Sequence, residues 1–232
     1  MIRKLVFDLP TRIFHWLFSG LFITAFLIAK TIDSDSLVYT YHMLVGLTLG
    51  FAVVLRLIWG VLGTKHARLS DFSLNPRDLI SYFIGILRGE KRKWAGHNPA
   101  SSWAALCMMA FAMISSLTGY LMTSGTAKEN FEDFHEISAN AFMVVALVHV
   151  AGIVVHTVRY REWIGLSMVD GKKADVSAGE EIGSQRGGVA LLFLGLVIAF
   201  GINLVRNYDF QSRTLKFVGT VLTLGENKTH DD

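Results

Sequence analysis

Four histidines lie inside or at the ends of strongly apolar stretches of the sequence: His15, His42, His135 and His149. An imidazole in hydrocarbon is costly without a partner, so a histidine in such a position marks a functional site by default. Four of them can supply two pairs of axial ligands for two haem groups, one near each face of a helix bundle. The residue types and their placement therefore predict electron-transfer chemistry.

Helical spacing suggests how the four histidines pair. His135 and His149 are fourteen residues apart, which returns them to nearly the same helix face at a separation of about 21 Å. His42 and His135 fall in one half of the membrane, and His15 and His149 fall in the other half. The alternative for any single histidine is a hydrogen-bonding strut between helices. Two depth-matched pairs favour haem ligation over that alternative.

Two further side chains bear on the inner pair. His156 follows His149 by seven residues on the same face. It would lie about 32 Å from His135, which exceeds a hydrocarbon core of about 30 Å, so we favour His149 as the ligand. His156 then contacts a haem propionate or a quinone headgroup. Arg56 lies well within a helix and either pairs with an inner haem propionate or extends to the membrane interface.

The elements that position these residues are membrane helices. Of 232 residues 52% are apolar or aromatic and the mean hydropathy is +0.42, which indicates an all-α integral membrane protein. Five segments approach the length that spans a bilayer, namely 13–29, 37–63, 103–125, 137–157 and 188–205. Cys107 is the single cysteine, which excludes a C-x-x-C-H attachment site. Any haem is therefore non-covalent and of the b type.

The charge pattern predicts a cytoplasmic amino terminus and a periplasmic carboxy terminus. Basic residues concentrate in the amino-terminal segment and in the loops 64–102 and 159–187. They are Arg3, Lys4, Arg12, Lys65, Arg68, Arg77, Arg88, Lys91, Arg92, Lys93, Arg159, Arg161, Lys172, Lys173 and Arg186. The opposite loops carry only Lys30 and Lys128 among several acidic residues. This asymmetry follows the positive-inside rule, so the net charge of +3 does not indicate nucleic-acid binding.

The loops contain weaker signals. Residues 71–87 have helical periodicity with aromatic residues and predict an amphipathic interfacial helix. Asn98 and Pro99 predict a helix start. The stretch 170–186 is rich in Gly, Ser and charge, as in a flexible linker, and the tail 207–232 is polar overall. His66 and His97 are expected to be solvated loop histidines.

From these signals we predict four parts of the chain. They are a four-helix di-haem membrane domain (1–158), a cytoplasmic linker (159–187), a fifth transmembrane helix (188–205) and a periplasmic tail (206–232).

Over residues 5 to 160 the sequence resembles the bacterial cytochrome b561-like family, whose four-helix di-haem fold is shared by nickel-iron hydrogenase b-type and formate dehydrogenase gamma subunits. The motifs occur in order and are 8–16 (DLPTRIFHW), 41–46 (YHMLVG), 56–60 (RLIWG), 96–100 (GHNPA), 118–120 (TGY), 134–136 (FHE) and 149–152 (HVAG). The resemblance implies ligands from helices one, two and four, which gives the pairs His42 with His135 and His15 with His149. The fifth helix and the tail depart from the family pattern. Our hypothesis is that they dock a periplasmic redox partner.

The resemblance implies transfer of electrons between the quinone pool and a redox partner. We expect a multi-pass protein in the lipid of the bacterial inner membrane, carrying two b-type haems. It would oxidise quinol near the inner haem, with His156 or His97 as hydrogen-bond or proton partner, and reduce a periplasmic acceptor such as a c-type cytochrome. Alternatives are a membrane-anchor conduit of a hydrogenase or dehydrogenase, a superoxide:quinone oxidoreductase, and a non-redox transporter. The sequence allows a homo-oligomer and does not fix the oligomeric state.

Overall fold

The computed structural model describes residues 3–90, 92–124 and 128–224. Five of its helices are long and apolar enough to cross a membrane. These are α1 (Leu9–Thr31), α2 (Thr40–Leu62), α4 (Pro99–Thr123), α5 (Lys128–Tyr160) and α7 (Gly187–Arg206); the shorter helices are α3 (Pro76–Leu87) and α6 (Ser167–Asp170). They match the five predicted segments. Helices α1, α5 and α7 extend beyond the predicted ends, α2 lies within 37–63, and α4 is shifted towards the amino terminus relative to 103–125. The predicted class, an all-α integral membrane protein, is confirmed. Lys91, Gly125 and residues 225–232 of the predicted tail lie outside the described residues.

Side-chain caps define where the helices start. Asn98 accepts a hydrogen bond from the backbone nitrogen of Ser101 at 2.8 Å, and Pro99 occupies the first helical position of α4. This is the start that the sequence predicted. At the beginning of α1, the buried carboxylate of Asp8 accepts from the backbone nitrogen of Thr11 at 3.0 Å. Each cap satisfies a backbone donor that has no partner within its helix.

The amphipathic helix expected at 71–87 is present as α3 (Pro76–Leu87), a slightly shorter element. Asn75 caps it by accepting from the backbone nitrogen of Arg77 at 2.9 Å. Large apolar side chains remain exposed along α3, including Ile80, Phe83 and Leu87. An exposed apolar face on a short helix is typical of a helix lying in a membrane interface.

The chain forms two compact units, each built from parts of the five long helices. The first contains Met1–His15, Leu55–Ala110 and Phe142–Phe193. The second contains Trp16–Val54, Phe111–Ala141 and Leu194–Asp232. His15 and His149 belong to the first unit, whereas His42 and His135 belong to the second. The division into di-haem domain, linker, fifth helix and tail stays a prediction.

In the first unit, the segment expected to be a flexible linker is hydrogen-bonded to the amino terminus. Strand β1 (Lys4–Leu5) pairs antiparallel with β2 (Lys172–Lys173). The carbonyl of Gly171 accepts from the backbone nitrogens of Val6 and Phe7, and the backbone nitrogen of Ile182 donates to Leu5 at 2.9 Å. The expectation of a flexible linker is therefore wrong for this segment. The apolar residues Val6, Phe7 and Val176 give it a small core of its own.

In the second unit, the tail forms an antiparallel sheet with the order β3–β4–β5. The strands are Tyr208–Asp209, Thr214–Phe217 and Thr220–Thr223. Leu215 and Leu222 are fully buried and pack with Leu44 of α2. The described tail thus has a core, although its composition is polar overall, because one side chain in two points inward along each strand.

Candidate haem site

The imidazoles of His42 and His135 lie opposite each other in the second unit. Their ring centroids are 5.9 Å apart and their planes are inclined by 77°. A metal bonded to two opposite imidazoles at about 2 Å each holds their centroids about 6 Å apart. The two histidines of this predicted pair thus lie at a spacing that suits one shared iron.

Hydrogen bonds fix the tautomer of both rings. Nδ1 of His42 lies 2.8 Å from the carbonyl oxygen of Ala25, and Nδ1 of His135 lies 2.9 Å from that of Ser115. A carbonyl only accepts, so each Nδ1 carries the hydrogen and donates it. Each Nε2 is then left with a lone pair, which is the state a metal ligand needs. The hydroxyl of Thr118 lies 3.1 Å from Nδ1 of His135 and further restrains that ring.

Glycines leave room beside this pair. A Cβ placed on Gly119 would lie 3.4 Å from Cε1 of His135, so a larger residue would press on the ring. A Cβ on Gly20 or Gly46 would meet no atom within 4 Å. Gly46 is also one turn from His42 on α2. A flat macrocycle can approach a helix closely only where the helix has no side chain. The glycines at these positions are therefore compatible with a bound haem.

His15 and His149 lie close together in the first unit, where the two imidazoles interact electrostatically. His15 is carried by the start of α1 and His149 by the second half of α5. Both side chains are half-buried. The pairing predicted from membrane depth is therefore compatible with the structure.

Arg56 belongs to the same unit as this second pair and is only 3% exposed. Its guanidinium carbon is 5.8 Å from the ring centroid of Phe14, the neighbour of His15. Nη1 of Arg56 is buried and has no hydrogen-bond partner among the described residues. Burial excludes extension to the exterior, which was one of the two sequence alternatives. A buried donor without an acceptor fits the other alternative, an anionic group such as a haem propionate.

The chain matches the sequence profile of prokaryotic cytochrome b561 over residues 6–171. This match covers more than half of the chain. The chain belongs to the prokaryotic cytochrome b561 family. It is therefore a b-type cytochrome with multiple membrane helices, and its function is electron transfer.

Curated relatives of this cytochrome b561 are hydrogenase subunits. It is 21% identical over 210 residues to the probable Ni/Fe-hydrogenase B-type cytochrome subunit of Rhizobium leguminosarum bv. viciae, covering 72% of this chain and 87% of the relative. It is 25% identical over 147 residues to the probable Ni/Fe-hydrogenase 1 B-type cytochrome subunit of Escherichia coli K12, covering 53% and 62% respectively. No solved structure matches the chain.

His156 of this cytochrome b561 is not placed like His149. Its ring stacks on Tyr160 with centroids 4.3 Å apart and planes inclined by 16°. Its buried Nδ1 has no partner among the described residues. Tyr160 also lines a cleft with Tyr82 and Trp94. His156 therefore stacks on a residue that lines this cleft. The imidazole that interacts electrostatically with His15 is that of His149.

The expectation that His66 is a solvated loop residue is wrong. Its side chain is buried, with Nδ1 2.8 Å from the Asp71 carboxylate and Nε2 2.8 Å from the backbone oxygen of Glu180. Burial alone would lower the pKa of His66, but the hydrogen bonds to Asp71 and Glu180 raise it above its usual range. The ring joins the loop after α2 to the segment before α7.

The same expectation is wrong for His97. Its ring centroid lies 5.2 Å from that of Phe7 and 4.7 Å from that of Phe72. The enclosed Nδ1 has no partner among the described residues. Burial, followed by the charges of Lys173 and Arg56, lowers the pKa of His97 well below its usual value.

Sequence reasoning counted Lys173 only among the basic residues of the cytoplasmic loops and missed its burial. Its ammonium donates to the carbonyl of Gly96 at 2.6 Å and lies 5.0 Å from the ring centroid of Phe7. Burial lowers the pKa of Lys173 to about 8. No local pattern marks this residue, because a lysine in a Gly- and Ser-rich stretch looks like a solvated one. The apolar run of Leu5, Val6 and Phe7 before α1 was the local signal that another segment of the chain packs against the amino terminus.

Proposed function

We propose that this cytochrome b561 holds two haem b groups and passes electrons between the quinone pool and a redox partner. His42 and His135 would hold one haem, and His15 and His149 the other. The observation that carries the proposal is the facing pair His42 and His135, each with Nδ1 hydrogen-bonded to a backbone carbonyl and Nε2 available. A bound haem supplies a one-electron couple between ferric and ferrous iron.

The protein's own residues hold the two ligands in a fixed orientation. The carbonyls of Ala25 and Ser115 fix the imidazole hydrogens and increase the basicity of the opposite nitrogens. Ligation by two histidines would favour electron transfer over oxygen binding. Because the rings are already oriented, little rearrangement of the protein is required when the charge on the site changes.

We place quinol oxidation near the inner haem and assign the hydrogen-bond partner to His156 rather than His97. His97 is enclosed by aromatic rings, whereas His156 stacks on Tyr160 at the cleft that Tyr82 also lines. The polar lining of this cleft includes Glu90, which gives a released proton an acceptor. An aromatic cleft with a few polar groups is a suitable environment for a quinone ring.

The redox partner is either a periplasmic c-type cytochrome or an enzyme subunit. A membrane-anchor role in a hydrogenase or dehydrogenase is supported by the names of the relatives, which are probable hydrogenase cytochrome subunits. Under both alternatives the second unit would face the partner. We propose that the chain lies in the bacterial inner membrane with its amino terminus in the cytoplasm, since the basic loops cluster in the first unit.

Rapid mixing of the purified protein with a reduced quinol, followed in the haem absorption bands, tests the proposed function. We expect reduction of both haems in the wild type and at least tenfold slower reduction in His156→Gln at unchanged haem content. Cys107→Ser is a suitable control, because Cys107 is not placed in the site. Quinol that reduces neither haem would contradict the proposal. Fast reduction by superoxide with no response to quinol would favour the superoxide alternative.

A further inference from the structure

The first unit contains a group of basic side chains close to His149, which we term the basic cluster: Arg56, His97 and Lys173. Arg56 comes from α2, His97 from the loop before α4, and Lys173 from β2. His97 interacts electrostatically with Arg56, Lys173 and His149. Three separate parts of the chain therefore converge on one place beside the proposed inner ligand.

The basic cluster has more hydrogen-bond donors than acceptors. Nη1 of Arg56 and Nδ1 of His97 are buried and have no partner among the described residues. The ammonium of Lys173 has three donors, and the carbonyls of Gly96 and Trp94 accept two of them, at 2.6 and 3.4 Å. An unsatisfied buried donor costs about 1–3 kcal/mol, so the open Nη1 of Arg56 calls for an acceptor, which the third hydrogen of Lys173 could share.

The buried carboxylate near this cluster is already in use. Asp8 is fully buried and interacts electrostatically with Arg56. Its oxygens accept from Trp59 Nε1 at 3.1 Å, from the Thr64 hydroxyl at 2.6 Å and from the backbone nitrogen of Thr11 at 3.0 Å. Three of its roughly four acceptor positions are thus occupied. Glu162 interacts electrostatically with Lys173, as Asp8 does with Arg56. Asp8 nevertheless leaves the open Nη1 of Arg56 without an acceptor.

We propose that the basic cluster binds the two propionate carboxylates of the inner haem and that Lys173 completes this site. The inference rests on the proposed function, because it requires a haem between His15 and His149. Two carboxylates supply acceptors for the open donors, and charge-assisted hydrogen bonds of this kind are about twice as strong as neutral ones. The propionates belong to the same haem that His15 and His149 would hold. Binding at the basic cluster and binding at the two histidines would therefore strengthen each other.

Lys173 reaches the cluster because the segment that carries it is docked on the amino terminus. Lys4 and Lys173 are paired residues of β1 and β2. Gly171 has a φ of +78°, and a Cβ there would lie 2.5 Å from the carbonyl oxygen of Phe7, so only glycine fits. A group that binds only the docked arrangement stabilises it by mass action. Haem binding and docking of this segment are therefore coupled.

The test uses full-length protein with His42→Ala, which leaves only the inner haem. Haem-depleted protein is titrated with haem b and with its dimethyl ester, in which both carboxylates are blocked. We expect this parent to bind haem b at least tenfold more tightly than the ester, since the ester cannot accept the charge-assisted bonds.

Lys173→Gln should bind haem b about tenfold more weakly than the parent and bind the ester equally well. Its inner haem should also have a lower midpoint potential, because a nearby cation favours the more negative reduced state. Lys173→Arg should recover most of the affinity. Lys172→Gln is the matched control, an exposed neighbour that should behave as the parent.

Equal affinity of the parent for haem b and the ester would overturn the inference, and that comparison does not depend on any cluster variant folding. Lys173→Gln with the affinity and potential of Lys172→Gln would also overturn it. In both cases the proposed function stands, because the inner haem is bound. A parent that binds neither compound would overturn the inner haem site itself, and this inference with it.

Discussion

The two histidine pairs differ in what surrounds them. His42 and His135 are oriented by neutral groups, the carbonyls of Ala25 and Ser115 and the hydroxyl of Thr118. His15 and His149 instead belong to the unit that contains the buried guanidinium of Arg56. In the proposed sites, backbone carbonyls would orient the first pair of ligands, and Arg56 would bind the cofactor's own charges at the second. The same ligand type can thus be given two electrostatic environments within one chain.

Removing one ligand of either pair should have the largest effect. His42→Ala and His15→Ala should each lose one haem completely and keep the other, because the pairs use different residues and different surroundings. Difference spectra with a haem count per polypeptide measure this. Cys107→Ser is the control and should keep both haems. Loss of both haems in a stable single variant would contradict two independent sites.

Crowding of the His135 ring should selectively weaken haem binding at His42 and His135. Gly119→Val places a branched side chain where a Cβ would already lie 3.4 Å from His135, so we expect about tenfold weaker haem retention there. The measurement is haem content after extended washing in detergent. Gly195→Val on α7, where a Cβ meets no atom within 4 Å, is the matched control. Equal haem loss in the two variants would show that the space beside His135 is not restrictive.

Substitutions on the tail should affect reduction of the partner and leave quinol oxidation unchanged. Val218 and Val221 are 83% and 56% exposed on the β-sheet that packs against α2. If this surface docks the partner, Val218→Lys with Val221→Lys should slow partner reduction severalfold and leave both haem spectra and quinol reduction unchanged. Gln211→Lys, in the turn before β4, controls for added charge. Unchanged partner reduction would remove the tail from the docking surface.

The smallest effect concerns pH and the first unit. The pKa of His66 is raised in the folded protein, so its stabilisation is fully present below its unfolded pKa of about 6.5 and is lost as pH rises through the folded pKa. The backbone amide of Ile182 donates to the carbonyl of Leu5, so its hydrogen exchange reports on opening of this segment. After correction for the intrinsic exchange rate, we expect the opening free energy to fall by about 1 kcal/mol as pH rises. Asp71→Asn should flatten this dependence. A dependence that persists in Asp71→Asn would assign it to another group.

The five helices were predictable, and the four candidate histidines could be recognised, because both signals are local. An apolar run long enough to span a bilayer is visible in any window of the sequence, and a histidine within it stands out against that background. The fourteen-residue spacing between His135 and His149 needs only the helical repeat. The caps at Asn98 and Pro99 were equally local.

The docked segments were not predictable in the same way. Strand β2 has two residues, both lysines, and gains its place only by pairing with Lys4 and Leu5 far away in the sequence. The burial of His66 and His97 depends on those same distant contacts. The alternation of Leu215 and Phe217 in the tail was a visible strand signal, but it is short and lies in a polar context.

The central claim is that this cytochrome b561 carries two haems, each held by two histidines. A pyridine haemochrome assay of the purified wild-type protein, together with its reduced-minus-oxidised spectrum, tests that claim most directly. The account predicts two haem b per polypeptide with the bands of low-spin iron. One haem per polypeptide would contradict one of the two pairs, and none would contradict the assignment of these histidines as ligands.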